Sequence, residues 1–206
     1  MKNIFKLSLL LLAVSALAIS CADDEEMAPF KPLFFSQGFE LEQAGFGSNE
    51  VAIDIEGWSN FNLSGPRKWS CKEFDDNQFA EFSSFYSTAS TLNDEAWLIT
   101  SKIDFTLWTN ETLTFDTQAR FSNGAELKVL VSTDFDGTQA GITTATWVEK
   151  TATLPTVDNI FVNSGYIDLS DIESNNVYIA FKYIGSKPGN KTTTFQVDKI
   201  KLFENK

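Results

Sequence analysis

No histidine occurs anywhere in the 206 residues. That absence excludes a Ser-His-Asp triad, a Cys-His dyad, a histidine general base and every zinc site built on imidazole. Cysteine is almost missing as well: Cys21 and Cys71 are the two in the chain, too few for a thiolate zinc centre or a disulfide framework. No glycine-rich phosphate loop is present. Basic residues are scarce, with 16 Lys and Arg against 28 Asp and Glu and a formal net charge of −12, so the chain repels phosphate backbones and no nucleic-acid partner is expected. Hydrolysis by paired carboxylates stays formally open, but no pair stands out from the other acids. The chain reads as a non-enzyme.

Long apolar runs are also lacking, save one. Leu7 to Ile19 follows the positive start made by Lys2 and Lys6, and it is shorter than the roughly 20 residues a spanning helix needs. Residues 1–20 therefore read as a signal peptide. Ala18-Ile19-Ser20-Cys21 puts a small residue directly before a cysteine, as in a bacterial lipobox, with Leu17 four residues ahead of Cys21. Cys21 is the expected lipidation site, and acyl chains there anchor by about 0.8 kcal/mol per buried methylene. Asp23-Asp24-Glu25-Glu26 then keep a tether over residues 21–32 solvated and extended by mutual repulsion. The run resembles the acidic signal behind the lipidated cysteine of Bacteroidetes surface lipoproteins. The expected location is the outer membrane, facing the cell exterior. Once Lys2 and Lys6 leave with the signal, 14 basic residues oppose 28 acidic ones, a net charge of −14.

From Leu33 to the C-terminus no stretch of ten residues keeps a helical period. The pattern is one of short alternating strands between turn residues, which predicts an all-β, two-sheet antiparallel sandwich over residues 33–206. Along Thr112 to Phe121, Leu113, Phe115, Ala119 and Phe121 point one way and Thr114, Asp116, Gln118 and Arg120 the other. Asn123-Gly124 follows, and Leu127, Val129 and Val131 resume the alternation, which predicts a hairpin. Val177 to Tyr183 is another strand. In the last one the apolar phase slips from Phe195 and Val197 to Ile200 and Leu202, which predicts a β-bulge that re-aims Asp198. Other strands are expected over Leu33–Phe39, Phe79–Tyr86, Ala96–Ile103, Thr146–Thr151 and Tyr166–Leu169.

Two residue classes could form a site. Carboxylates at strand ends (Glu40, Asp94, Glu95, Asp134, Asp136 and Asp198) suit Ca²⁺, which takes six to eight oxygens. Asp134-Phe135-Asp136-Gly137 lacks the later ligands of a calcium loop and reads better as a solvated Asp-Gly turn. Aromatics are the second class. Trp97, Trp147, Phe115, Phe181 and Phe195 lie in strand patterns and are expected in the core. Trp58, Phe61, Trp69, Phe82, Phe85 and Tyr86 lie in or beside the Gly-, Asn- and Ser-rich section 43–78, and Trp58, Trp69 and Tyr86 are the ligand-binding candidates.

Several ordered motifs carry a family resemblance: Gly38-Phe39-Glu40, Asp94-Glu95-Ala96-Trp97-Leu98-Ile99-Thr100, Val131 to Gly137, Ala145-Thr146-Trp147, Ile167 to Ser170, Val177 to Tyr183 and Phe195 to Asp198. Together, from Phe35 to Phe203, they resemble the choice-of-anchor J and DUF5017 group of secreted Bacteroidetes domains, similar to cleaved-adhesin and MAM-type jelly rolls. The resemblance implies a jelly roll and a structural calcium held by Glu40 and Asp198, with Asp94 as a third ligand; Lys199 stands where the group often has an acid or amide. The implied function is a lipid-anchored adhesion or glycan-binding module. Its expected partners are polysaccharide, host-matrix protein or, in an accessory structural role, an outer-membrane polysaccharide-uptake complex.

Overall fold

The computed structural model describes residues 31–88 and 93–204. The signal peptide, Cys21 and nearly all of the tether lie outside the described residues. Among the described residues thirteen strands form two antiparallel sheets: β1 Leu33–Gln37, β2 Val51–Ala52, β3 Ser59–Ser64, β4 Ser70–Phe74, β5 Asn77–Phe82, β6 Asp94–Ile99, β7 Glu111–Arg120, β8 Glu126–Ser132, β9 Val148–Lys150, β10 Val162–Asn163, β11 Ile167–Asp168, β12 Tyr178–Gly185 and β13 Thr194–Glu204. The larger sheet runs β10-β7-β13-β5-β4-β2, with β1 also on β13 and β11 also on β7; the smaller runs β3-β6-β12-β8-β9. The protein is a β-sandwich, as its alternation of apolar and polar residues requires.

The core lies between the sheets. Leu113, Phe115 and Ala119 of β7 face Phe181 and Tyr183 of β12, and the Phe115 and Phe181 rings meet edge to face at 5.1 Å. Burying rings and branched chains of this size contributes about 1.5–3 kcal/mol each, which is what orders a chain with no disulfide among its described residues. A second cluster forms on the outer face of the smaller sheet, where Phe135, Ile142 and Trp147 cover Trp97, Ile99, Leu130 and Ala180. Trp97 is thus buried outside the sandwich proper, and Trp147, expected in the core, is half-buried as part of the cover over it. The Asp134–Gly137 turn is part of this cover: Asp134 accepts from the Ser132 hydroxyl and the Thr146 N–H, and Asp136 from the Thr138 N–H and hydroxyl.

Two local expectations meet different fates. The bulge in the last strand is present: the β13–β7 register shifts between Asp198 and Lys201, and Lys199 sits at φ 49°. The Asn123-Gly124 hairpin is not formed. β7 belongs to the larger sheet and β8 to the smaller, so the turn carries the chain across the sandwich. Phe121 explains the difference, since its φ of 54° breaks the strand and turns its side chain out of the alternation. It is 69% exposed, not part of the core face.

Candidate functional site

At one end of the sandwich three loops converge. The first follows β5. Ser83 leaves the strand with extended backbone, and its hydroxyl accepts the Phe85 N–H at 3.2 Å, nucleating a 3-10 turn over Ser84–Tyr86. That turn points Ser84 inward and leaves Phe85 and Tyr86 58% and 56% exposed, their rings edge to face at 5.0 Å. Its base is pinned to the core. The Ser83 hydroxyl donates to the Thr192 carbonyl, the Ser84 N–H donates to the Tyr183 hydroxyl, and that hydroxyl donates to the Thr193 carbonyl. Burial raises the Tyr183 pKa, so its proton stays available for this bond.

The second loop, between β7 and β8, presents Phe121. Asp158 accepts from the backbone N–H and the hydroxyl of Ser122, and these bonds hold its pKa below the usual carboxylate range. Asn123 clasps the third loop, between β12 and β13: its amide nitrogen donates to the Thr192 hydroxyl at 2.8 Å, and its amide oxygen accepts the Thr192 N–H at 2.6 Å. The Asn123 N–H adds a bond to the Thr193 hydroxyl at 2.9 Å. The result is a cavity of about 480 Å³ lined by Phe85, Tyr86, Phe121, Asn123, Lys187, Asn190, Thr192 and Thr194. Rings on the rim and amide, hydroxyl and ammonium groups on the wall suit a ligand with an apolar face and a polar edge.

Among the sequence-predicted aromatics, Tyr86 lies in this cavity. Trp69 does not: it is fully buried, with its indole N–H donating to the Ala96 carbonyl at 3.4 Å. The alternation of β4 decides this, because Trp69 leads into a strand whose inner face it shares with Cys71. Trp58 is half-buried, stacked on Phe35 at 6.3 Å and edge-on to Phe39 at 6.4 Å, and it packs against the core. Phe121, Asn123 and Lys187 were missed. Phe121 continues the period of two although its backbone leaves the strand, and an Asn-Gly pair has the appearance of a hairpin turn, so pattern alone marks neither residue as a cavity wall.

The predicted carboxylates separate into two places. Asp198 is 1% exposed; it accepts from its neighbour Lys199 N–H at 2.7 Å and from the Asn77 amide at 3.2 Å. Burial is the main cause of its raised pKa, and the Glu40 charge adds to it, so the chain does bring these two carboxylates within electrostatic reach. Asp94 stands elsewhere, in β6 of the smaller sheet. There it accepts from the Ser87 hydroxyl at 2.9 Å and acts on the Arg67 guanidinium, which lies 5.3 Å from the Tyr86 ring and pairs with Glu50. The structure therefore gives Asp94 no part with Glu40 and Asp198. Glu95 is occupied by the Lys182 ammonium at 2.9 Å and the Trp97 indole. Among the described residues, no three acidic or cysteine side chains gather to hold a metal ion.

Residues 80–205 match the family of a domain of unknown function, DUF5017. The chain belongs to the DUF5017 family. No curated protein matches its sequence. In solved structures this DUF5017 domain is similar to the K1 and K3 cleaved adhesin domains of Lys-gingipain from Porphyromonas gingivalis W83. For K1 the TM-score is 0.51 at 18% identity, covering 84% of this chain and 98% of that one. For K3 the TM-score is 0.52 at 12% identity, with 85% and 100% covered. The shared feature is the sandwich fold.

Proposed function

We propose that this DUF5017 domain is a non-catalytic binding module, held on the outer membrane by lipid at Cys21, whose end cavity takes glycan. The observation that supports it is the Phe85–Tyr86–Phe121 rim. Three rings, each more than half exposed, meet round one cavity with Asn123, Asn190, Thr192 and Thr194 on its wall. Isolated exposed aromatics are ordinary, but rings gathered on a cavity mark an interaction surface. Sugar rings offer C–H faces to stack on them and hydroxyls for the amides. Phe121→Gly and Tyr86→Ala are the test, read by glycan array and calorimetry. Phe121→Gly also relaxes the φ of 54°, so a loss of stability should not accompany it. Each variant is expected to weaken binding at least about fivefold, since a ring stacked on an aromatic side chain contributes about 1–3 kcal/mol. Unchanged binding in both would remove the site.

Calcium belongs to the same proposal, at the Glu40–Asp198 corner that joins the loop after β1 to β13. Two carboxylates supply a minority of the oxygens calcium takes, so carbonyls and water would complete its shell. What supports it is the placing of Asp198, a carboxylate buried at the bulge of β13 with the Glu40 charge acting on it. The expectation is that a chelator lowers the melting temperature and added Ca²⁺ restores it. In chelator, folded Asp198 holds its proton more tightly than the unfolded chain. Stability should then rise as the pH falls from neutral toward 3.8, and Asp198→Asn should flatten that slope. A melt indifferent to chelator would leave both as ordinary carboxylates.

A further inference from the structure

We infer that the ligand of the Phe85–Tyr86–Phe121 cavity is an acidic saccharide, one bearing uronate or sulfate groups; the inference rests on the glycan reading above and adds its charge class. The argument is a local reversal of sign. The chain carries 28 acidic against 16 basic residues, yet the cavity lining has one charged residue, Lys187, and no carboxylate. Each rim ring has a cation beside it: the Lys187 ammonium lies 5.9 Å from the Phe85 ring, the Arg67 guanidinium 5.3 Å from Tyr86 and the Arg120 guanidinium 5.3 Å from Phe121. Lys191 adds a fourth, its stem lying along the turn at Gly124.

The nearby acids are already engaged. Asp158 is bound to Ser122, Asp94 is buried, and Glu50 pairs with Arg67. Lys187, Lys191 and Arg120 form no ion pair among the described residues, and the Arg120 Nε donates to the neutral Asn159 amide. Lys187 therefore lines the cavity without a matching carboxylate, and Lys191 stands by the neighbouring turn at Gly124, whereas Arg120, though beside the Phe121 ring, lines a separate cavity with Asp75 and Asp198. Screening at physiological salt, over about 8 Å, hides the distant acidic surface from a ligand in the cavity but not the cations beside it. Charged donors next to exposed rings would hold an anionic group on a stacked sugar through charge-assisted hydrogen bonds.

The test uses matched pairs: uronate oligosaccharides beside their carboxyl-reduced forms, and sulfated oligosaccharides beside their desulfated forms. Affinities are measured by calorimetry on the purified chain and on Lys187→Gln and Lys187→Gln/Lys191→Gln. Both lysines are exposed in a turn, so the variants are expected to fold, and their melting temperatures confirm it. The expected result is a preference of about two- to fivefold for one acidic form over its neutral partner, with the two forms bound equally by the double variant. Equal affinity within every pair, or a preference for the neutral partner, overturns the inference and leaves the glycan reading standing. Acidic binding unaffected by the lysine changes overturns the site assignment. No binding to any acidic or neutral glycan removes the glycan reading and the inference together.

Discussion

Phe121 has the residue type of a core position and the backbone of a turn. A bulky side chain at a φ of 54° costs about 1–2 kcal/mol, and it persists here because Asp158 holds Ser122 and Asn123 clasps the β12–β13 loop. Strain of this kind is maintained by its surroundings, and it leaves an aromatic ring in water at the rim of a cavity. Cys71 shows the opposite economy. Its thiol is fully buried, and burial, with the charges of Glu42, Glu40, Asp198 and Glu73 behind it, pushes its pKa up to about 12. The thiolate is the reactive form, so native Cys71 should resist iodoacetamide at mildly alkaline pH and become alkylated once urea unfolds the domain. Mass spectrometry reads the outcome directly, and rapid labelling of the folded protein would contradict the buried placement.

The element that organises the larger sheet is β13, at 11 residues the longest strand. One edge pairs with β7 along its length; the other is shared, β5 taking Phe195–Val197 and β1 taking Ile200–Phe203. The bulge sits where the partner changes. It places Lys199 in the left-handed region, with its ammonium 3.6 Å from Asp116 in an exposed pair that contributes little. Lys199→Gly is therefore expected to raise stability by about 0.5–1 kcal/mol and Lys199→Val to lower it by about 1–2 kcal/mol, read from urea denaturation midpoints. Equal midpoints for the two would mean that the bulge is not held in that conformation. The phase slip between Val197 and Ile200 made this bulge legible in the sequence, because a buried face exposes any change of register. The β7–β8 crossover left no such mark. An Asn-Gly pair between alternating strands has the same appearance whether the second strand pairs with the first or with the opposite sheet.

The whole molecule is proposed to work at a membrane surface, held there by its N-terminal end. Attachment is proposed to rest on Cys21 and its acyl chains, a reading supported by the apolar run that ends in Ala18-Ile19-Ser20-Cys21. Cys21→Ala should release the protein into the soluble fraction, with the folded domain's melting temperature unchanged. Retention in washed membranes would refute lipid anchoring at that residue. The acidic residues after Cys21 and the domain's negative charge would repel an anionic lipid surface.

Composition and local pattern by themselves determined that this is an all-β sandwich without histidine chemistry. They also determined most strand positions and the bulge at Asp198, because burial of one strand face writes a period of two into the chain. They placed Tyr86 near a ligand surface but put Trp69 there as well, since exposure depends on which side of a strand faces the other sheet. The tertiary structure alone decided that Phe121 leaves the core, that Asp94 and Asp198 lie in different sheets, and that Phe85, Tyr86, Phe121 and Lys187 share one cavity. Those residues come from three loops far apart in the chain, and only the closing of two sheets brings such loops to one end.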